Sequence, residues 1–302
     1  MMNRRNFSSM ALVGLALSPA CSYSEKAGAA TAASPQLQRE VAHRLRELER
    51  SSRGRLGVHI LDTASGAEFG HRADERFLMC STFKLLASAL VLQRADHRQE
   101  SLDRRIVFRQ ADLVAYSPVT ETRTGGAGMS LAELCEATLT TSDNTAANLI
   151  VASYGGPPAV TAFARSLGDT VTRLDHVEPA LNTWHGPVSD TTSPRAMLHS
   201  LQRVTLGDAL APTSRDTLLR WMRANTTGET RLKAGLPTGW TIGDKTGAAD
   251  NTSNDIAVVW PPNRAPLLVT AYLTRSAASF EARNATLAQV GALLPLIAAA
   301  RG

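Results

Sequence analysis

Hydrophobic residues recur at helical spacing near the start of the chain and at strand spacing directly afterwards. Leu37, Val41, Leu45 and Leu48 lie on one face of an amphipathic helix if this segment is helical. The segments RLGVHILD and GAEFGH follow it and predict a pair of strands, joined by a turn around 63–66. Strand patterns return only near the other end of the chain.

The long middle of the chain has the apolar spacing of helices. The predicted helices span residues 81–95, 131–141, 144–154, 157–167, 194–205 and 213–225. Three strand segments follow, WTIGDKTG, DIAVVW and PLLVTAYLTR, and then a last helix is predicted over 279–300. Its apolar face is expected to carry Phe280, Leu287, Val290, Leu294 and Ile297.

This order of elements predicts an α/β (α+β) fold in which both chain ends build one antiparallel sheet flanked by terminal helices. Residues 31–80 and 224–302 would form this sheet domain, and residues 81–223 would form an inserted all-helical domain. Residues about 172–192 have no regular pattern. A loop of that length inside a compact domain is usually functional or disordered, so we expect it to border the active site.

Residues 1–30 have the features of an export signal. Arg4 and Arg5 precede the apolar run MALVGLAL, which is too short to span a bilayer. This arrangement is typical of a cleaved signal, and the paired arginines indicate the twin-arginine route to the periplasm. Cleavage would follow Ala30, whereas a lipidated Cys21, the alternative, would anchor the mature protein to a membrane.

The composition excludes several classes of protein. The 302 residues are 43% hydrophobic and 20% charged, which is typical of a globular chain. The net charge is +5, but no Lys/Arg-rich block occurs, so a nucleic-acid partner is not expected. The seven histidines form no His-x-His-x-Asp cluster, so no metal site is expected. Cys80 and Cys135 are able to pair in principle, but we expect two unpaired, buried thiols.

A serine and a lysine three residues apart, Ser81 and Lys84, begin the helix predicted from MCSTFKLLASAL. Residues i and i+3 share a helical face, so Lys84 Nζ would reach Ser81 Oγ. A serine hydroxyl is a weak nucleophile until a base removes its proton. A desolvated lysine near a second cation, here Lys245, is able to act as that base. The structural alternative is that Ser81 caps the helix, because such a pair also occurs by chance.

Three further motifs follow in order along the chain. They are Ser142–Asp143–Asn144 between two predicted helices, the sequence EPALN from Glu178 to Asn182 in the long loop, and Lys245–Thr246–Gly247 at the end of a strand. With the flanks AYSPVTE, LCEATLTTSDNTAANL, RLDHVEPALN and IGDKTGA, the chain resembles the class A serine β-lactamases from about residue 35 to its end. The resemblance implies a serine β-lactamase/DD-peptidase-like fold, no cofactor and a monomer. It also implies hydrolysis of the β-lactam ring of penicillins and cephalosporins through an acyl-serine, giving antibiotic resistance.

The resemblance assigns catalytic roles to five residues. Ser81 would be the nucleophile, and its backbone N–H would form an oxyanion hole with that of Ala248. Ser142 would relay a proton to the departing lactam nitrogen, with a helix N-cap as its structural alternative. Glu178 would activate the water that hydrolyses the acyl-enzyme. Whether Lys84 or Glu178, through water, removes the proton from Ser81 stays open.

The resemblance also implies a set of substrate-binding residues. They are Asn144, Asn182, Lys245, Thr246, Gly247, Arg231 and Tyr116. Asn144 would hold the acylamino side chain, and Asn182 would help to hold the hydrolytic water. Arg231 would receive the substrate carboxylate with the Lys-Thr-Gly strand, because Asn254 takes the place where many members have an arginine. Tyr116 would wall the entrance. The alternatives are a surface charge for Arg231 and packing for Tyr116.

Two departures from the family concern the long loop and the cysteines. His176 stands where many members have an arginine that pairs with an acid, here Asp190. Histidine ordinarily titrates near 6.5, so we hypothesise a looser or pH-sensitive loop. The bond between Glu178 and Pro179 resembles one that is cis in the family. Some members bond the cysteine before the nucleophile to one after the Lys-Thr-Gly motif, but that place is Ala249 here.

Two other classes of protein share the acylation machinery. A peptidoglycan DD-peptidase would have the same serine and lysine, and a penicillin sensor domain would be acylated once without turnover. Glu178 with Asn182 argues against both, because these residues serve deacylation. The lack of a transmembrane anchor in the sequence also argues against a sensor.

Overall fold

The computed structural model describes residues 33–300, so the predicted export signal and Cys21 lie outside the described residues. The helices are α1 (Pro35–Ser52), α2 (Phe83–Asp96), α3 (Leu131–Thr140), α4 (Asn144–Ser153), α5 (Pro157–Ser166), α6 (Pro194–Thr205), α7 (Pro212–Arg223), α8 (Phe280–Gly291) and α9 (Leu294–Ala299). The strands are β1 (Arg55–Asp62), β2 (Glu68–His71), β3 (Phe77–Leu78), β4 (Arg105–Ile106), β5 (Met129–Ser130), β6 (Thr191–Thr192), β7 (Thr241–Ala249), β8 (Thr252–Trp260) and β9 (Leu267–Thr274).

Five strands from the two ends of the chain form one antiparallel sheet, in the order β2-β1-β9-β8-β7. The first predicted strand therefore lies beside the last one, with Val58 opposite Ala271. The adjoining strands β8 and β7 form a hairpin, with Ala248 opposite Ser253. The predicted α/β fold with its antiparallel sheet is confirmed.

Hydrophobic side chains are buried on both sides of this sheet, in two clusters. Helices α1 and α8 cover one side, where Leu45 and Leu287 pack with Val269. The helices of the middle of the chain cover the other side. Strands β8 and β9 are almost wholly buried for this reason, and their apolar segments, IAVVW and LLV, are continuous rather than alternating. The assignment of two domains with the boundaries given above stays a prediction.

Helix α2 is enclosed by other helices, since every residue from Phe83 to Leu92 is buried. A helix that is apolar all round belongs to the interior. The predicted start of this helix at Ser81 is wrong by two residues, because a 3-10 turn over Cys80–Thr82 precedes it. Thr82 is the N-cap residue of α2, so the alternative in which Ser81 caps the helix is also wrong.

The last helix differs from its prediction in two respects. It consists of α8 and α9, which are separated at 292–293, just before Pro295. Proline lacks an N–H and cannot continue a helix through its own position. Phe280 does not share the buried face, because 44% of its surface is exposed. The two-residue strands β3, β4, β5 and β6 are too short to give a periodic signal, and the sequence did not predict them.

Gly57 of β1 allows close packing against the segment that leads to Ser81. A Cβ atom built on Gly57 would lie 2.3 Å from Phe77 Cε2 and 2.9 Å from Pro194 Cγ. Overpacking of this kind typically costs about 1–3 kcal/mol, so we expect Gly57→Ala to lower the Tm in thermal unfolding. Gly126→Ala is the control, because a Cβ there meets no atom within 4 Å. Equal Tm values for the two variants would contradict the packing argument.

Candidate active site

A cleft of ≈ 480 Å³ opens beside β7 and the 3-10 turn at 80–82. Its lining residues are Ser81, Tyr116, Ser142, Asn144, Glu178, Asn182, Thr226, Thr227, Arg231, Thr246, Gly247, Ala248 and Phe280. All the predicted site residues therefore line this one cleft, except Lys84 and Lys245, which are fully buried and bond to Ser142. The motif residues, distant in sequence, come together as predicted. Thr226, Thr227 and Phe280 were not predicted.

Strands β7 and β8 hold the turn at 80–82 in place. Asn254 Nδ2 of β8 donates to the carbonyl oxygens of Leu78 and Met79, at 2.9 and 3.1 Å. Gly247 of β7 lies so close that a Cβ on it would be 2.8 Å from Met79 O. Glycine at this position lets the Lys-Thr-Gly strand approach the turn that carries Ser81.

Glu178 lies between Ser81 and Lys84. Ser81 Oγ donates a hydrogen bond to Glu178 Oε1 at 2.9 Å, and Lys84 Nζ lies 3.1 Å from the same oxygen. Asn182 Nδ2 donates to the other oxygen, Oε2, at 2.6 Å. The expected direct bond from Lys84 to Ser81 is absent from the described residues, because the loop inserts the Glu178 carboxylate between them.

Ser142 Oγ lies between the two buried lysines. Lys84 Nζ donates to Ser142 O at 2.8 Å and to Ser142 Oγ at 3.3 Å. Lys245 Nζ donates to Ser142 Oγ at 3.1 Å and to Thr246 O at 2.9 Å. A hydroxyl that accepts from two amines has its own proton free for a third group, so this arrangement suits a proton relay.

Burial lowers the pKa of both lysines from the usual value of 10.5. Desolvation is the largest cause for each side chain, because water no longer stabilises the ammonium group. The Lys84 charge depresses the pKa of Lys245 further, whereas the Glu178 carboxylate partly opposes the shift at Lys84. Both amines therefore give up a proton more readily than a surface lysine does.

Tyr116 and Ser142 both have left-handed backbones, each with φ of 61°. This conformation costs a non-glycine residue about 1–3 kcal/mol and tends to occur at functional sites. Asp143 caps α4 by accepting from Ala146 N, so the alternative in which Ser142 is the N-cap is wrong. Tyr116 is 61% exposed at the cleft, which excludes core packing as its role.

Two predicted substrate-binding side chains have fixed positions. Asn144 accepts from Lys84 Nζ at 2.5 Å through Oδ1 and donates to Ala115 O at 2.8 Å through Nδ2. Arg231 is only 3% exposed, so its alternative as a surface charge is wrong. Its Nη1 donates to Gly247 O at 2.9 Å, directly behind the Lys-Thr-Gly strand. Burial lowers the pKa of Arg231, although guanidinium groups stay charged in proteins.

Asn148 of α4 holds the backbone of Glu178 on both sides. Its Nδ2 donates to Glu178 O at 2.8 Å, and its Oδ1 accepts from Glu178 N at 2.9 Å. Sequence reasoning missed Asn148, although it lies four residues after Asn144 on the same helical face.

The peptide bond between Glu178 and Pro179 is cis, as the resemblance implied.

The loop ends are joined by the expected pair of His176 and Asp190. His176 Nδ1 lies 2.6 Å from Asp190 Oδ2, and Asp190 Oδ1 accepts from the backbone N–H groups of Asp175 and His176. Met79 N donates to Asp190 O at 2.9 Å, so the loop end is tied to the segment that precedes Ser81. The pH sensitivity of this loop stays a prediction.

Cys80 and Cys135 are buried, and neither forms a disulfide within the described part of the chain, which confirms the expectation. Burial raises the pKa of each thiol to about 12. The reactive thiolate is therefore suppressed, and Cys80 contributes packing rather than a reactive group.

A second depression, of ≈ 340 Å³, lies elsewhere on the surface. Arg195 pairs there with Asp74 and Glu68, at 2.8 and 2.7 Å, and His59 pairs with Glu68 at 3.1 Å. Asp169 accepts a hydrogen bond from Ser200 Oγ at 3.0 Å. Residues 33–300 contain no cluster of three or more His, Cys, Asp or Glu side chains arranged for a metal ion. The candidate catalytic residues are concentrated in and directly behind the first cleft.

Comparison with known proteins identifies similar chains. Residues 40–296 match the family model described as the beta-lactamase enzyme family. The chain is 49% identical over 251 residues to beta-lactamase CTX-M-8 of Citrobacter amalonaticus, covering 82% of this chain and 86% of that protein. It is 48% identical over 296 residues to beta-lactamase L2 of Stenotrophomonas maltophilia, covering 96% of this chain and 97% of that protein.

The fold is also similar to solved structures. The structure of an ancestral (GNCA) class A beta-lactamase matches with a TM-score of 0.83 and 56% sequence identity. The match covers 85% of this chain and 99% of that one. Sequence and structure therefore point to the same family over nearly the whole described chain.

We expect Asn148→Ala to loosen the loop, because each lost hydrogen bond to Glu178 contributes about 0.5–1.5 kcal/mol. Trypsin should then cleave faster after Arg173, which is exposed at the start of the loop. Asn251→Ala, in the exposed turn between β7 and β8, is the matched control. Equal rates of cleavage after Arg173 in both variants would show that Asn148 does not restrain the loop.

Proposed function

Because the chain belongs to the class A β-lactamases, we propose that Ser81 is its nucleophile and Glu178 its general base. The chain is a serine hydrolase that opens the β-lactam ring of penicillins and cephalosporins through an acyl-serine, which gives antibiotic resistance. The observation that carries the assignment of residues is the hydrogen bond of 2.9 Å from Ser81 Oγ to Glu178 Oε1.

Acylation begins when Glu178 accepts the proton of Ser81 and Oγ attacks the lactam carbonyl carbon. Lys84, 3.1 Å from the same carboxylate oxygen, stabilises the charge and is a second route for the proton. The carbonyl oxygen becomes an oxyanion. This oxyanion accepts hydrogen bonds from the backbone N–H groups of Ser81 and Ala248. One such donor typically contributes about 2.7–4 kcal/mol to transition-state stabilisation.

Collapse of this intermediate breaks the bond between the carbonyl carbon and the lactam nitrogen. Ser142 Oγ gives its proton to that nitrogen and is reprotonated by Lys84 Nζ, 3.3 Å away. Lys84 then recovers a proton from Glu178, 3.1 Å away, so Glu178 is again a carboxylate before deacylation. The lowered pKa of Lys84 favours this transfer, because its buried ammonium group releases a proton more easily than an exposed one.

Deacylation uses Glu178 with Asn182. Glu178 removes a proton from a water molecule, the hydroxide attacks the ester carbonyl, and Ser81 Oγ leaves with the proton. Asn182 Nδ2 donates to Glu178 Oε2 at 2.6 Å and so orients the carboxylate that removes the proton from this water. A DD-peptidase or a penicillin sensor would not need this arrangement.

The substrate carboxylate is received at the Lys-Thr-Gly strand. Thr246 lines the cleft and shares a hydrogen bond between hydroxyls with Thr227, while Arg231 supplies a permanent positive charge behind the strand. Lys245 is fully buried, so it acts through its charge and through Ser142 rather than by direct contact. Asn144 holds the acylamino side chain, and Gly247 and Tyr116 complete the walls.

Residues 1–30 are proposed as a twin-arginine export signal for a periplasmic, monomeric enzyme, with a lipid anchor at Cys21 as the alternative. The sequence supports this proposal. Within residues 33–300, no helix is both long and apolar enough to cross a membrane. A sheet domain (31–80 and 224–302) and a helical domain (81–223) are also proposed, since one of the two hydrophobic clusters contains only residues of the sheet domain.

Turnover of a chromogenic cephalosporin in excess tests the function and the role of Glu178 together. We expect many turnovers by the wild type and a slower, single burst of one equivalent by Glu178→Ala, because Lys84 still supports acylation but no base activates water. Glu136→Ala, at an exposed position of α3, is the control and should turn over normally. A wild-type reaction that stops after one equivalent would indicate a penicillin-binding protein or a sensor.

A further inference from the structure

Phe280, the first residue of α8, is an aromatic side chain exposed inside the catalytic cleft. It exposes 44% of its surface and lines the same cleft as Ser81. A single exposed hydrophobic residue is ordinary on a protein surface. Within a cleft that binds a small molecule, however, apolar and aromatic side chains provide most of the contact area.

Two buried arginines fix the ring of Phe280. The Cζ atoms of Arg231 and Arg283 lie 5.6 and 5.8 Å from its centroid, which is within the range of cation–π contact. Asn284, one turn further along α8, accepts from Arg231 Nε at 3.1 Å. The first two turns of α8 therefore hold Arg231 through a cation–π contact with Phe280 and a hydrogen bond to Asn284.

Close backbone packing keeps α8 in this position. A Cβ on Gly291 would lie 2.2 Å from Leu232 O, and a Cβ on Gly235 would lie 1.9 Å from Ala288 O. The two glycines thus allow α8 to lie directly against the turn at 232–235, which follows Arg231. Phe280 consequently forms part of the cleft wall beside Arg231, and its position there is fixed.

The chemistry of the substrate defines what lies next to Arg231. In penicillins and cephalosporins, the carboxylate is on the ring carbon bonded to the lactam nitrogen. The adjacent ring atom carries a further substituent, which is an invariant pair of methyl groups in penicillins and the variable C3 group in cephalosporins. When the substrate carboxylate binds near Arg231, the substituent on the adjacent ring atom lies beside Phe280.

We propose that Phe280 is a specificity-determining residue that contacts the substituent next to the substrate carboxylate and favours flat, apolar groups there. The proposal rests on the proposed role of Arg231 in receiving the carboxylate. An aromatic ring offers a large and rigid contact area, so a planar C3 group would stack on it with little loss of entropy.

Two cephalosporins with the same acylamino side chain test this proposal, one with an arylvinyl group at C3 and one with hydrogen at C3. We expect Phe280→Ala to raise the KM for the arylvinyl compound about 10-fold and to change the KM for the other less than about 2-fold. Phe280→Tyr should keep the wild-type ratio. Val107→Ala is the control, because Val107 is 65% exposed and lies outside the cleft.

An equal rise in KM for both compounds would overturn the proposal, since Phe280 would then act only by covering Arg231. No change for either compound in Phe280→Ala would overturn it as well. Thermal unfolding of each variant establishes that it is folded. Failure of the proposed function is distinguishable, because it would appear as a lack of turnover of both compounds by the wild type or as full activity of Ser81→Ala.

Discussion

The burial of two lysine side chains beside Ser142 and Glu178 is the constraint on which the rest of the site depends. Lys84 and Lys245 have no exposed surface, and both donate to the hydroxyl of Ser142. Moving a charged group out of water costs several kcal/mol unless partners replace the water. Glu178 supplies the opposite charge for Lys84, so the loop that carries Glu178 is part of the same electrostatic unit.

This constraint explains why rigid elements surround the loop. Helix α2 presents Lys84 from an apolar interior, and Asn148 of α4 holds the Glu178 backbone from both sides. Asp190 ties the end of the loop to the segment before Ser81. Displacement of the Glu178 carboxylate would leave the buried Lys84 ammonium without its opposite charge, so the geometry of the site and the stability of the fold are maintained by the same contacts.

The motifs of the sequence identified the chemical groups, because Ser81, Lys84, Ser142, Glu178 and Lys245 occur at characteristic spacings. Their connectivity was not predictable from spacing. The helical face shared by Ser81 and Lys84 suggested a direct bond, but Glu178, almost a hundred residues later, takes that position. Phe280 fits the apolar pattern of α8, and only the close packing of that helix against the turn after Arg231 exposes it to the cleft. Such tertiary contacts leave no periodic signal in one sequence.

The pKa of Lys84 is the quantity that tests this electrostatic account most directly. Beyond Lys26, the chain contains only Lys84, Lys233 and Lys245, so NMR of isotopically labelled lysine side chains gives three resolvable signals. Lys233 is exposed and serves as the internal reference, and Lys84→Met assigns the signal. The account predicts that Lys84 in the wild type loses its proton at a pH below the usual 10.5, because desolvation outweighs the attraction of Glu178. A Lys84 pKa at or above 10.5 would contradict it.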